Sequence, residues 1–204
     1  MKQQLTIAQI MVAQTSLFPA EEKALRGFSY IEPFLSQEQE QALLEEISRL
    51  DLHPLIFQGY EAKRKVRSFG YDYHFDSRTI TEGRPIPEGF TALLEHVAKQ
   101  LNVPAADIKE MLVTEYPPGA VINWHRDAPP FDIIIGISLM SDCRFRFRPY
   151  EKTRQGRGSI ITLPVRRRSL YVLSGEARSD WEHSIAPVKT PRYSITLRTL
   201  KMLT

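Results

Sequence analysis

The spacing of hydrophobic positions changes near the middle of the chain. Up to about residue 110, apolar residues recur every three or four positions in two stretches, which is typical of amphipathic helices. The first predicts a helix over Gln37–Leu50, opened by a capping-box pair at Ser36 and Gln39. The second predicts a helix over Phe90–Leu101.

From Met111 onward the hydrophobic residues form short alternating or continuous runs, separated by Pro, Gly and charged residues. The predicted strands are Met111–Tyr116, Ile133–Met140, Cys143–Arg148, Ser159–Leu163, Ser169–Leu173 and Tyr193–Leu200. Many short strands at close intervals are typical of a sandwich or barrel, not of alternating βαβ units. We therefore expect a mainly β fold with flanking helices (α+β), in which the helices buttress a jelly roll (a double-stranded β-helix).

Length and composition favour one ordinary globular domain. The 204 residues, 42% hydrophobic and 25% charged, predict an N-terminal arm over residues 1–26 and a single domain over residues 27–204. No apolar run approaches about 18 residues, so no membrane span is expected. The single cysteine, Cys143, excludes an intrachain disulfide and favours a reducing, cytoplasmic compartment.

The segment VINWHRDAPP brings two potential metal ligands together. His125 and Asp127 are two positions apart, so on a strand both point to one face. Two His and one carboxylate leave one side of a metal open, which suits non-haem Fe(II). The second His is expected among His53, His74, His96 and His183. His183 is preferred because it lies in a short strand between two others; the alternative is a strand-end His hydrogen-bonded to Asp.

An arginine pair follows His183 in the segment PRYSITLR. Arg192 and Arg198 are six positions apart and therefore share one face of a strand. Two guanidinium groups that point into a barrel require anions. A small dicarboxylate that chelates the metal would satisfy both.

In this order, these motifs resemble the AlkB family of Fe(II)- and 2-oxoglutarate-dependent dioxygenases. The resemblance spans nearly everything from Gly27 to Leu200, and the segment LSGEARSDWEHSI resembles a divergent bacterial branch. Its further motifs are GFSYIEPFLSQEQEQALLEEI, FGYDY, PIPEGF and EYPPGAVINWHRD. It implies that residues 27–110 hold helices and a nucleotide-recognition lid, that residues 111–204 form the catalytic jelly roll, and that the protein is a monomer.

The resemblance also implies an iron-binding trio and the reaction. His125, Asp127 and His183 would bind Fe(II). With 2-oxoglutarate and O₂, the enzyme would release succinate and CO₂ and hydroxylate a C–H bond. On an N-methyl group, that hydroxylation releases formaldehyde and the free amine.

Further site residues are implied around 2-oxoglutarate. Arg192 would pair with its distal carboxylate, helped by the Tyr116 hydroxyl, and Arg198 would lie near the carboxylate that chelates iron. Thr114 and Ser194 stand where repair enzymes of the family often carry Asn. They keep a hydrogen-bonding group but are shorter.

The substrate predicted from the family is alkylated DNA or RNA, which points to alkylation damage repair. The candidate lid residues, from KRKVR and FGYDY, are Arg64, Lys65, Arg67, Tyr71 and Tyr73. The structural alternative is a hairpin with charges in water and aromatics in the core. Family members that repair bases commonly carry acidic residues directly after HRD, whereas this chain has Ala128, Pro129 and Pro130. A tRNA base, a protein methyl group, or a catalytically silent nucleic-acid-binding jelly roll are the alternatives.

Overall fold

The computed structural model describes residues 25–57, 59–74 and 77–201. The predicted N-terminal arm lies almost entirely outside the described residues and stays a prediction. The helices are α1 (Gln37–Ser48), α2 (Thr91–Leu101) and α3 (Gly175–Ser179). The strands are β1 (Phe28–Ile31), β2 (His53–Phe57), β3 (Tyr60–His74), β4 (Thr79–Glu82), β5 (Ile108–Tyr116), β6 (Ile122–His125), β7 (Phe131–Leu139), β8 (Cys143–Pro149), β9 (Ile161–Val165), β10 (Leu170–Leu173), β11 (Trp181–Ile185) and β12 (Arg192–Leu200).

Two antiparallel sheets form the jelly roll. The larger has the order β1-β10-β7-β12-β5-β3-β2, with β4 paired to β3, and the smaller has the order β6-β11-β8-β9. From β5 onward the chain passes repeatedly from one sheet to the other, which is the double-stranded β-helix. The predicted fold class is confirmed.

The larger sheet is buried on both faces. One face packs against α1 and α2, and the other packs against the smaller sheet. On β12, Ile195 and Leu197 belong to the helix-side core, whereas Arg192 and Arg198 contact residues between the sheets. Because alternate side chains of a strand point to opposite faces, the same strand anchors the fold and supplies polar groups to the interior.

The predicted helices and strands are present with small shifts. Helix α1 ends at Ser48 and α2 begins at Thr91, after a 3₁₀ turn. The strand expected at Ser159–Leu163 starts at Ile161, because a second 3₁₀ turn occupies the preceding residues. Residues 117–119 connect β5 of the larger sheet to β6 of the smaller one.

Four strands precede Met111, where the hydrophobic pattern predicted only helices. They extend the larger sheet at both edges: β1 pairs with β10, and β3 pairs with β5. His53, one of the candidate second ligands, begins β2. The signal was weak because charged residues dominate the first half of β3 and no run of Val, Ile or Leu marks it.

Gly70 divides β3 into two parts. Up to Gly70 the strand pairs with β5, and from Tyr71 it pairs with β4 as a hairpin arm. Gly70 has φ +84°, and a Cβ there would lie 2.0 Å from the carbonyl oxygen of Lys109. Glycine is therefore required where the arm leaves the sheet.

None of the helices in these described ranges is long and apolar enough to cross a membrane.

Candidate active site

The three predicted metal ligands come together between the sheets. His125 ends β6 and lies directly opposite His183 on β11 in the antiparallel register, with ring centroids 4.3 Å apart. Asp127 follows two residues after His125, and one donor atom from each of the three residues lies within 4.8 Å of the others. The expectation that the barrel folds His183 back opposite His125 holds in the structure.

Both imidazoles are arranged to offer a lone pair. Nδ1 of His125 lies 2.9 Å from the carbonyl oxygen of Asn123, so this nitrogen donates and Nε2 stays free for a metal. Burial, reinforced by the neighbouring His125, lowers the pKa of His183 to about 3. His183 is therefore neutral near neutral pH, as a metal ligand must be.

Asp127 offers one unpartnered carboxylate oxygen. Its Oδ1 accepts hydrogen bonds from Nε and Nη2 of Arg198, at 2.9 and 2.7 Å. Oδ2 is buried without a hydrogen-bond partner among the described residues and lies 3.4 Å from Nε2 of His183. Burial by itself would raise the pKa of Asp127, but the charge of Arg198 holds it well below its usual range. A buried anionic oxygen without a partner is unfavourable, and a divalent cation at this position would satisfy it.

Arg192 presents two unpartnered nitrogens to the same interior. Its side chain is fully buried, and Nε donates to Oγ of Ser138 at 3.2 Å. The guanidinium carbon lies 4.9 Å from the ring centroid of Tyr116. Within the described part of the chain, neither Nη1 nor Nη2 has a hydrogen-bond partner. A small carboxylate, which accepts two parallel hydrogen bonds from a guanidinium, fits this group.

Arg198 differs from Arg192 because its partners belong to the chain. Besides Asp127, it donates from Nη1 to Glu110. Arg198 therefore has acidic partners without any bound anion, and its position near the carboxylate that chelates iron stays a prediction. Burial raises the pKa of Glu110 to about 7, outweighing the opposite effect of Arg198.

Hydroxyl groups line the interior beside Arg192. Thr114, Ser194 and Ser138 lie side by side across β5, β12 and β7, and all three are buried. The Tyr116 hydroxyl lies 3.3 Å from Oγ of Ser194. Sequence reasoning did not select Ser138, although a polar residue inside the apolar β7 run was a usable signal.

The comparisons with known proteins agree with this geometry. The family model described as the 2OG-Fe(II) oxygenase superfamily matches residues 27–199. The chain belongs to this superfamily. Its cofactors follow from the family: Fe(II), with 2-oxoglutarate and O₂ as cosubstrates. The predicted resemblance is thereby confirmed: the chain is an AlkB-like member of this superfamily.

Curated relatives are longer than this oxygenase. The chain is 31% identical over 170 residues to the tRNA (carboxymethyluridine(34)-5-O)-methyltransferase ALKBH8 of Mus musculus, matching 80% of this chain but 24% of the relative. It is 29% identical over 156 residues to the RNA demethylase ALKBH5 of Bos taurus, matching 70% of this chain and 37% of the relative. The solved structure of OsALKBH1 superposes with a TM-score of 0.68 at 13% identity, covering 85% of this chain and 96% of that one. That likeness shows the shared fold.

Arg178 is a site residue of the oxygenase that sequence reasoning missed. From α3, its Nη2 donates to the backbone carbonyl oxygens of Asp127, Ala128 and Phe131, at 3.1, 2.7 and 3.2 Å. This one side chain ties down the loop that carries Asp127. Its position in GEARSDWEH, shortly before His183, was the available signal.

The basic residues of the predicted lid have partners within the protein. Arg64 donates from Nη1 to the carbonyl oxygen of Val121 at 3.2 Å, and Arg67 contacts His53. Lys65 forms an ion pair with Glu115 at 3.7 Å. These contacts tie β3 to its neighbours, and their role toward a phosphate backbone stays a prediction.

The predicted aromatic residues of the lid lie on the hairpin arm. Tyr71 lies opposite Glu82, and Tyr73 lies opposite Ile80. Tyr73 and Ile80 also pack against the inter-sheet cluster that includes Tyr116 and Phe131. The arm therefore borders the interior that holds the arginines.

Proposed function

We propose that this oxygenase removes N-methyl groups from bases in RNA. The observation that carries the oxygenase part is the unpartnered edge of Arg192, buried in the same interior as the free oxygen of Asp127. The guanidinium of Arg192 is suited to a carboxylate, and the free oxygen of Asp127 is suited to a cation. A 2-oxo acid that chelates a metal ion would match both groups. RNA is favoured over DNA because the mouse relative is named a tRNA methyltransferase and the bovine relative an RNA demethylase.

The site residues then take specific roles. His125, Asp127 and His183 would hold Fe(II). Arg192 would bind the distal carboxylate of 2-oxoglutarate beside the hydroxyls of Tyr116 and Ser194. When bound, iron with 2-oxoglutarate and O₂ supplies an oxidant able to hydroxylate a C–H bond.

Arg198 has a different role, because both of its acidic partners are supplied by the chain. It would orient Asp127, so that Oδ1 is held by the protein and Oδ2 is left for the metal. Thr114, opposite Ser194, would complete the hydroxyl row against which the cosubstrate lies. Neither residue has to move a proton.

The surrounding side chains exclude water and place the methyl group. Phe131 and Tyr116 are buried beside the arginines, and the arm carrying Tyr71 and Tyr73 borders the same interior. An extruded base stacks on such aromatic residues while its methyl group reaches the oxidant. Hydroxylation converts N–CH₃ to N–CH₂OH, which releases formaldehyde and leaves N–H. No general acid or base is required from the protein.

The test is a matched panel of RNA and DNA oligonucleotides, each carrying one N-methylated base. With Fe(II), 2-oxoglutarate and O₂, we expect loss of one methyl group by mass spectrometry, with stoichiometric succinate and formaldehyde, and His125→Ala to abolish all three. Methyl loss from DNA alone would favour the predicted repair role. Turnover stimulated only by methylated peptides would overturn the proposal and assign a protein substrate.

A further inference from the structure

The outward face of the smaller sheet is rich in arginine. On β8, Phe145 and Phe147 point to the interior and are 1% and 0% exposed. The alternating residues Arg144, Arg146 and Arg148 therefore lie on the opposite face, away from the metal ligands. Such alternation is typical of a strand with one buried and one solvated face, but these arginines also make specific contacts.

Trp124 organises two of these arginines. It precedes His125 on β6 and so points outward where His125 points inward. The guanidinium carbons of Arg146 and Arg148 lie 5.0 and 4.7 Å from its ring centroid. A guanidinium stacked by its face keeps N–H groups at its edge for hydrogen bonding. Stacking also restrains the side chain in advance, which reduces the entropy lost when an anion binds.

Arg126 adds a fourth guanidinium next to the edge strand. Its carbon lies 3.4 Å from the ring centroid of Tyr150, and Nη1 donates to the carbonyl oxygen of Ser179 at 2.7 Å. Tyr150 is 50% exposed, so this pair lies at the surface.

Among the residues of β11 that pair with β8, one is acidic. The strand register places this carboxylate, Glu182, among the arginines, and it accepts from Nε of Arg148 at 2.6 Å. Nε of Arg146 donates to Oγ of Ser184 at 3.1 Å. Within the residues described, the Nη groups of Arg146 and Arg148 have no hydrogen-bond partner, and these donors suit phosphate oxygens.

Strand β6 links this face to the active site. It is an edge strand of the smaller sheet, and it carries His125 on one side and Trp124 on the other. When one base of a polynucleotide lies at His125, the neighbouring backbone needs to cross only the β-strand β6 to reach the outward face. We propose that this arginine face (Trp124, Arg126, Arg144, Arg146 and Arg148) binds the phosphate backbone of RNA flanking the modified base. The inference rests on the proposed function, because an enzyme acting on a protein substrate would not need a surface that binds phosphates.

The test compares two double variants that each remove two positive charges. Arg144→Gln/Arg146→Gln changes the arginine face, and Arg49→Gln/Lys99→Gln changes α2 and the end of α1, on the far side of the larger sheet. Binding of an unmodified single-stranded RNA of about 20 nucleotides is measured by fluorescence anisotropy across a salt series. We expect the first variant to bind several-fold more weakly, with a salt slope smaller by about 1.4, since each lost single-strand phosphate contact removes about 0.7.

The control variant should keep the wild-type affinity and slope, and thermal unfolding checks that both variants fold. On methylated substrates, the first variant should lose more kcat/KM on the long RNA than on a trinucleotide. Equal RNA affinity of the two variants would overturn the proposal that the arginine face binds RNA. If the first variant binds RNA more weakly but the wild-type enzyme demethylates no oligonucleotide, the proposed reaction is overturned while the arginine face stands as an RNA-binding surface.

Discussion

Arg198 binds one oxygen of Asp127 with two nitrogens and leaves the other oxygen free. The bonds to Oδ1 are 2.9 and 2.7 Å long, while Oδ2 faces Nε2 of His183 at 3.4 Å. The third nitrogen of the guanidinium is held by Glu110. The carboxylate is thus oriented by the protein before any ligand binds.

Removing Arg198 is expected to destabilise the metal-free protein strongly. Arg198→Gln leaves Asp127 and Glu110 buried near each other without a cation, and breaking such a buried pair costs about 3–5 kcal/mol. Chemical denaturation measures this loss. Arg148→Gln is the control, because its pair with Glu182 is less buried than those of Arg198 and should cost less. Equal losses would contradict the role of Arg198.

Metal binding should depend on Asp127 and His125. Asp127→Asn and His125→Ala each remove a proposed ligand, so we expect Mn²⁺ affinity to fall by more than about 100-fold. Residues that only hydrogen-bond to a metal ligand typically cost about 10–100-fold when they are replaced. Anaerobic calorimetry gives the affinities. His74→Ala, outside the trio on β3, should bind Mn²⁺ like the wild type; a similar fall there would count against the assignment.

Arg192→Met should separate cosubstrate binding from stability. The variant loses the free guanidinium edge, so 2-oxoglutarate binding should weaken by at least about tenfold, the value of one charged hydrogen bond. Removing a buried charge without an anionic partner should leave the unliganded melting temperature unchanged or higher. Calorimetry with 2-oxoglutarate and thermal scans test both parts. A variant that binds 2-oxoglutarate normally would exclude Arg192 from the cosubstrate site.

Arg178 should act on the metal through the loop it holds. Arg178→Met removes donors from three carbonyls, and we expect metal affinity to fall by about 10–100-fold, with faster exchange of the backbone amides of Asp127, Ala128 and Phe131. Arg178→Lys should recover part of both, because an ammonium also donates several hydrogen bonds. Unchanged exchange in Arg178→Met would show that the loop is held by other contacts.

Stability should depend on pH through Glu110. Its pKa is about 7 in the folded state against an ordinary 4.5, so the folded state binds the proton more tightly. Its contribution to stability is fully present below the unfolded pKa and is lost as pH rises through about 7. Glu110→Gln cannot ionise, so it should become more stable relative to wild type between about pH 5 and pH 8. Denaturation of the metal-free proteins across this range measures the difference; a difference that stays constant with pH would contradict the role of Glu110.

Much of the fold and of the metal site was predictable from the sequence. Alternating apolar positions predict β8 and β12, and helical spacing predicts α1 and α2, because burial of one face dictates both periods. The ligand trio was predictable because His125 and Asp127 are neighbours in the chain and His183 lies in a recognisable strand. The strands β1–β4 were not, since their pairing depends on partners distant in sequence.

The partners of the charged groups could not be read from the chain. Arg192 and Arg198 occur in one motif and share one strand face, so sequence spacing assigned both to the same anion. Folding places Glu110 and Asp127 beside Arg198, whereas among the described residues Arg192 contacts Tyr116 and the hydroxyl of Ser138. Side-chain periodicity tells which way a residue points. Which charge it meets depends on the registers of β5, β12 and the loop after β6, which are set by long-range packing.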